Sequence, residues 1–297
     1  VIPPRPVSAS NNPVLPLLPA DLCQLVDAAL REDQAASDAT TLALVPTARR
    51  ARASMILREP GVLAGLDLAM AAFPALHPGA RVTRHHPDGA ELPAHTVVLT
   101  TEGPAGALLS AERVALNFVQ RLSGIATLTR HFVRALEGTR TRLLDTRKTT
   151  PGWRRLEKYA VACGGGVNHR QSLADLILIK DNHLVALHDA TPNPIAAAVH
   201  RARSRFPHLK IEVEADTLEQ VRMALDAGAD FILLDNMTLD ELRTAVEWCQ
   251  GHALTEASGG VRLETVRAIA ETGVDFVSVG ALTHSARALD IGLDFLT

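Results

Sequence analysis

Residues 145 to 183, DTRKTTPGWRRLEKYAVACGGGVNHRQSLADLILIKDNH, hold seven Lys and Arg residues together with His169 and His183, in a chain whose formal net charge is only -3. The charges do not form a run. They sit singly or in pairs after apolar segments, Leu143-Leu144 before Asp145 to Lys148 and Leu176 to Ile179 before Lys180, around Gly164-Gly165-Gly166. Arg offers a planar fork that matches carboxylate or phosphate, whereas Lys is a compact point charge. Arg147, Lys148, His169, Arg170 and Lys180 together therefore suit a ligand with several anionic groups. Arg154, Arg155 and Lys158 lie in a helical segment close to Glu157 and read as solvated surface charges.

A second constellation is Glu214 and Asp235, each ending an apolar segment. Two carboxylates on neighbouring strand ends can hold Mg²⁺, accept hydrogen bonds from sugar hydroxyls or stabilise developing positive charge. Glu212 is expected to face away from Glu214. A third is glycine-rich: Ala257-Ser258-Gly259-Gly260 and Gly280-Ala281-Leu282-Thr283-His284 each follow a strand and precede a helix, where backbone amides can approach a phosphate. Arg113 falls in the first turn of a helix expected to begin at Ser110, where a cation meets the positive end of the macrodipole.

The elements that must carry these groups differ between the two parts of the chain. The first part mixes a helix near 21 to 31, a strand near 51 to 58, a helix near 65 to 73, and strands near 81 to 86 and 96 to 109. The turn Glu102-Gly103-Pro104-Ala105-Gly106 splits the last of these and suggests a hairpin. The helix after Ser110 carries Val114, Phe118 and Leu122 on one face. From Leu143 onward, apolar strands alternate with helical segments, which predicts parallel strands with functional groups at their C-terminal ends. Six strands are well marked, fewer than the eight of a closed barrel. A further strand of uncertain home spans Ile291 to Thr297.

At 297 residues the chain has room for two domains, and 47% hydrophobic with 21% charged residues is ordinary for a globular protein. Mild acidity argues against nucleic acid as a partner. Cys23, Cys163 and Cys249 are too far apart for a disulfide framework or zinc site, and a reducing cytoplasm fits them. The leader VIPPRPVSASNNPVLPLLPADL has no basic n-region, so no signal peptide is read, its first ~15 residues are expected to be mobile, and no membrane span is expected.

Laid out in this way, the chain resembles the decarboxylating nicotinate-nucleotide pyrophosphorylases, that is, the quinolinate phosphoribosyltransferases. The motifs run nearly end to end: REDQAASDATT, GVLAGLDLAMAAF, AERVALNFVQRLSGIAT, DTRKTTPGWRRLEKYAV, GGGVNHR, LILIKDNH, IEVEAD, FILLDN, EASGGV and VDFVSVGALTHSARALDIGLDF. The resemblance implies an α/β fold with two parts, an N-terminal α/β sandwich domain over residues 1–112, to which residues 288–297 return, and an open, incomplete α/β barrel of TIM-like type over 113–287. It implies at least a homodimer with shared active sites, in which Arg113 reaches the neighbouring subunit's quinolinate. Arg147, His169, Arg170 and Lys180 would surround the pyridine carboxylates. Lys148 would meet 5-phosphoribosyl 1-pyrophosphate, Glu214 and Asp235 would hold its ribose and Mg²⁺, and Ser258, Gly259, Gly260, Gly280 and His284 would bind its 5′-phosphate. Lys148, Lys180, Glu214 and Asp235 would thus carry the catalysis. Two other readings stay open: a phosphoribosyltransferase of the same fold acting on another acceptor, such as the relative associated with molybdenum uptake, and a non-catalytic protein that binds phosphoribosyl pyrophosphate.

Overall fold

The computed structural model describes residues 19–296, and the leader expected to be mobile lies outside them. Along the chain come α1 (Pro19–Glu32), α2 (Ala39–Leu44), β1 (Arg50–Leu57), β2 (Gly61–Val62), α3 (Leu66–Leu76), β3 (Arg81–Arg84), β4 (Glu91–Leu92), β5 (Val97–Pro104) and α4 (Ala105–Ala135). Then follow β6 (Arg142–Leu144), α5 (Arg154–Cys163), β7 (Ile177–Ile179), α6 (Asp181–Val185), α7 (Pro194–Arg205), β8 (Ile211–Ala215), α8 (Leu218–Asp226) and β9 (Phe231–Asp235). The chain closes with α9 (Leu239–Cys249), β10 (Leu254–Ser258), α10 (Leu263–Ala270), β11 (Phe276–Ser278), α11 (Ala281–His284) and β12 (Ile291–Leu296). Two compact units result. One gathers residues 131–148 and 166–280, the other the described residues up to 130 with 149–165 and 281–296.

The second of these units is built on an antiparallel sheet of order β12-β1-β5-β3. In β1 the apolar positions Ala53, Met55 and Leu57 alternate and are wholly buried, as a sheet with one covered face requires. The C-terminal strand of uncertain home is β12, which pairs with β1 from Arg52↔Leu296 to Leu57↔Ile291. The expected hairpin at 102–106 does not form. β5 runs through Pro104 and passes directly into α4, a helix of 31 residues. Proline suits that junction because its missing N–H would be an orphan at a helix start. Ser110 is therefore not an N-cap, and its hydroxyl donates to Asp38 Oδ2 at 2.9 Å, the carboxylate that also caps α2. Arg113 lies beyond the first turn, so the macrodipole argument for it fails. Val114, Phe118 and Leu122 are buried on one face of α4, as their spacing predicts.

The other unit carries six parallel strands in the order β6-β11-β10-β9-β8-β7. These are the six expected from the sequence. A parallel bridge between Val167 and Leu144 extends the β6 edge. Ile211, Val213, Ile232, Leu234 and Val277 are buried on one face of the sheet, and α7 to α10 pack against the strands. Local signals set where these helices start: Asn193, Thr217 and Thr238 each accept a backbone N–H as N-caps, the last within a capping box with Glu241.

Within the antiparallel unit, α4 crosses residues 287–288 so closely at Gly124 that a Cβ would overlap the carbonyl oxygen of Arg287. Gly124→Ala should lower stability by about 3 kcal/mol through overpacking. At Gly138 (φ 78°) a Cβ would meet nothing within 4 Å, so Gly138→Ala should cost only about 1 kcal/mol for its left-handed backbone. Urea denaturation of the two variants checks this ordering.

Candidate active site

Strand parity decides which of the singled-out residues meet. In the parallel sheet Leu178 pairs with Glu212, Glu214 with Leu233 and Leu233 with Glu256, while Asp235 pairs with Ser258. Side chains two apart on a strand share a face, and paired residues point the same way. Glu212, Glu214, Asp235, Glu256 and Ser258 thus project from one face of the sheet, with Lys180 next in line after β7. This overturns the expectation for Glu212, which shares a face with Glu214 rather than opposing it. Leu178 and the buried Leu233 share this face, while Ile211, Val213, Ile232, Leu234 and Val277 hold the other.

Lys180 Nζ donates to Glu214 Oε2, with Glu214 nearly buried and Lys180 partly exposed. Next to them, Asp235 Oδ2 accepts from Asn236 Nδ2 at 2.6 Å. Asn236 has φ 53°, and its backbone N–H donates to the Ser258 carbonyl at 3.0 Å. Gly259 (φ 94°) lies against this turn, where a Cβ would come within 2.8 Å of the Asn236 backbone nitrogen. The glycine is there because the end of β9 and the loop after β10 are locked together with no room for a side chain. Glu214 and Asp235 supply hard oxygen donors of the kind Mg²⁺ takes, usually one or two carboxylates with the rest from phosphates and water. The donor set fits that ion.

A buried carboxylate holds the turn that bears His169 and Arg170. Asp145, fully buried at the end of β6, accepts from the His169 backbone N–H at 2.8 Å and from Asn168 Nδ2 at 2.6 Å, which fixes the 168–170 turn as it leaves the Val167 bridge. His169 reaches across the sheet face: its Nε2 lies 3.2 Å from Glu212 Oε2 on β8 and 3.4 Å from Glu256 Oε2 on β10. Its Nδ1 accepts from the Arg170 backbone N–H at 2.7 Å. Arg170 in turn donates through Nη1 to the Leu176 carbonyl at 3.1 Å. Burial, and then the neighbouring Arg147 charge, hold the Arg170 guanidinium below its ordinary value, with Glu212 and Asp175 acting in the opposite sense. Two guanidinium groups kept together in this way form a site for an anion.

Burial and neighbouring charge act together on the cluster of His169, Glu212 and Glu256. Burial opposes charge on His169, but Glu212 and Glu256 outweigh it and raise the ring's affinity for a proton. Burial and the Glu256 charge together raise the carboxyl of Glu212.

Not every singled-out residue lies in this unit. Arg113, exposed on α4, and His284, exposed on α11, belong to the antiparallel unit, whereas Lys148 and Gly280 belong with the parallel sheet. Lys158 is not a surface charge: it and Glu157 are fully buried on α5, whereas Arg155 is exposed and Arg154 half-buried. Glu157 accepts from Thr150 N at 3.0 Å, from Thr150 Oγ1 at 2.8 Å and from Arg121 Nη2 at 3.1 Å. Arg121 also donates to the carbonyls of Thr283 and Ala286, so it ties α4 and α5 to the turn that bears His284. Sequence reasoning passes over Arg121, Glu157 and Glu256. The period-two match of Glu256 to Ser258 is a usable signal, but nothing in the sequence pairs Arg121 with residues more than 160 positions away. Of the cysteines, Cys163 and Cys249 are buried, whereas Cys23 is exposed. No helix among the described residues is long and apolar enough to cross a membrane.

Comparison with known proteins accounts for nearly the whole chain. The family model described as "Quinolinate phosphoribosyl transferase, N-terminal domain" matches residues 38–123, and that for the C-terminal domain matches 125–294. The chain is 46% identical over 272 residues to the nicotinate-nucleotide pyrophosphorylase (carboxylating) of Mycobacterium leprae, covering 90% of this chain and 94% of the relative. It is also 46% identical over 243 residues to a probable enzyme of the same name from Bacillus subtilis, covering 82% of each. Among solved structures, the nicotinate-nucleotide pyrophosphorylase from Francisella tularensis superposes with a TM-score of 0.90 at 37% identity, over 95% of this chain and 99% of that one. On these matches, spanning both halves of the sequence, the chain belongs to the quinolinate phosphoribosyl transferase family.

Proposed function

We propose that this chain transfers the phosphoribosyl group of 5-phosphoribosyl 1-pyrophosphate to the ring nitrogen of quinolinate with loss of CO₂, giving nicotinate mononucleotide and pyrophosphate, the pentosyltransferase step of de novo NAD biosynthesis. The observation that carries this reading is the single sheet face on which a row of carboxylates, Glu214 and Asp235, adjoins Lys180 and the Arg147/Arg170 pair. Carboxylates suit a sugar that turns cationic, and paired cations suit an aromatic dicarboxylate.

Arg147, Arg170 and Lys180 take the two pyridine carboxylates, with His169 in the same wall. Lys148 meets the pyrophosphate, and Ser258, Gly259, Gly260, Gly280 and His284 take the 5′-phosphate. Lys180 is paired with Glu214 before substrate arrives. When Lys180 turns to an acceptor carboxylate it releases Glu214 to the ribose, so acceptor binding prepares the donor subsite. The ring nitrogen then attacks C1 of the ribose as pyrophosphate departs, and Glu214 and Asp235 stabilise the oxocarbenium character that develops. A Mg²⁺ held by these two carboxylates would neutralise charge on the departing pyrophosphate. The quaternised ring nitrogen draws in the electrons of the breaking C–CO₂ bond, and the ring carbon left behind takes a proton. A homodimer in which the exposed Arg113 serves the neighbouring copy's acceptor, in a cytoplasmic setting that keeps the three thiols reduced, completes the reading.

Incubated with carboxyl-labelled quinolinate, phosphoribosyl pyrophosphate and Mg²⁺, the protein should release labelled CO₂ only when all three are present; release of pyrophosphate with another acceptor but not with quinolinate would favour a different phosphoribosyltransferase. Asp235→Asn should lower kcat by roughly 10²-fold or more while leaving quinolinate binding within about twofold, because it removes charge stabilisation felt chiefly in the transition state. Steady-state kinetics together with calorimetric binding of quinolinate separates the two effects.

A further inference from the structure

Glu212 and Glu256 have no part in the chemistry above, yet with His169 they occupy the centre of the sheet face. Both carboxylates are almost completely buried, at 1% and 2% exposure. Carboxylates are seldom buried to this degree without a specific partner, since an uncompensated buried charge is costly. Their common partner is one imidazole nitrogen, reached from β8 at 3.2 Å and from β10 at 3.4 Å. The ring is held on its other side as well: Nδ1 accepts from the backbone N–H of Arg170, and the residue's own N–H is held by Asp145. The ring is thus a strut between two interior strands and the backbone of Arg170.

We propose that Glu212 and Glu256 are positioning residues for acceptor recognition, fixing His169 and through it the Arg170 backbone, so that the Arg147/Arg170 pair is already set for the second carboxylate of an aromatic dicarboxylate. The inference rests on the reading of this face as the acceptor site. It assigns the two carboxylates no contact with substrate. Without the strut, the Arg170 N–H loses its fixed acceptor, and the Arg170 side chain, repelled by Arg147, is held through Asp145 on the preceding residues and its own bond to the Leu176 carbonyl. Small losses of alignment at such a site are expensive in binding and turnover.

The same three side chains lie close enough, with one ligand atom each within 4.8 Å of the others, to hold a metal ion. The two roles differ in what substitution does. Glu256→Leu should raise the KM for quinolinate by about thirtyfold, with the KM for phosphoribosyl pyrophosphate within about twofold of the parent. Glu256→Gln still offers Nε2 an oxygen and should keep the quinolinate KM within about fivefold of the parent. In a His169→Gln background, Glu256→Leu should add nothing further, because the path from Glu256 to Arg170 is already cut. If Glu256→Leu shifts both KM values equally, or its effect simply adds to that of His169→Gln, the positioning role is overturned. Elemental analysis of the purified protein showing one equivalent of a transition metal that is absent from Glu256→Gln overturns it in favour of a metal site. A parent protein that fails to turn over quinolinate sinks the functional reading itself, whereas normal parent turnover with an unchanged quinolinate KM in Glu256→Leu sinks this inference alone.

Discussion

Charge balance across one sheet face is the constraint on which the rest depends. In the six-stranded parallel sheet Glu212, Glu214, Asp235, Glu256 and Ser258 share one face with Leu178 and Leu233. Three strands that bring so many carboxylates together would repel one another unless cations were supplied. The chain supplies them from the two edges of the sheet: Lys180 directly after β7, and Arg147 and Arg170 from the segments that follow β6 and the Val167 bridge. Asp145 and His169 hold the turn that bears Arg170 through hydrogen bonds to its backbone.

Much of this is legible from residue order because a parallel sheet converts strand ends into a shared location. Lys180, Glu214 and Asp235 stand out in the bare sequence, since each ends an apolar run. The number of strands follows from the same pattern. Other features are hidden for identifiable reasons. The turn signal at Glu102 to Gly106 is real, but proline and glycine there mark a strand passing into a helix, and the local sequence does not distinguish that from a hairpin. Lys158 reads as solvated because its helix carries other charges, yet the face it occupies is buried. Arg121 links carbonyls far along the chain, and such a contact leaves no mark in local sequence. The facing expected of Glu212 fails on parity alone, because residues two apart on a strand share a side.

The antiparallel unit follows a different logic. Its sheet needs the last strand of the chain to pair with β1, and its long helix is held against residues 287–288 by the absence of a side chain at Gly124. Arg121 and Glu157 then fix the turn that bears His284. Each unit therefore has its own buried ionic anchor, Glu157 in one and Asp145 in the other, and both anchors organise backbone next to residues proposed to touch substrate.

If the cations of the sheet face are set to count two carboxylates, the protein must discriminate sharply between a pyridine dicarboxylate and a monocarboxylate. Calorimetric titration with quinolinate and, separately, with nicotinate tests this most directly. The affinity for nicotinate should be weaker by at least roughly a hundredfold, because one carboxylate leaves part of a paired cation site unsatisfied. Equal affinities for the two acids would contradict it.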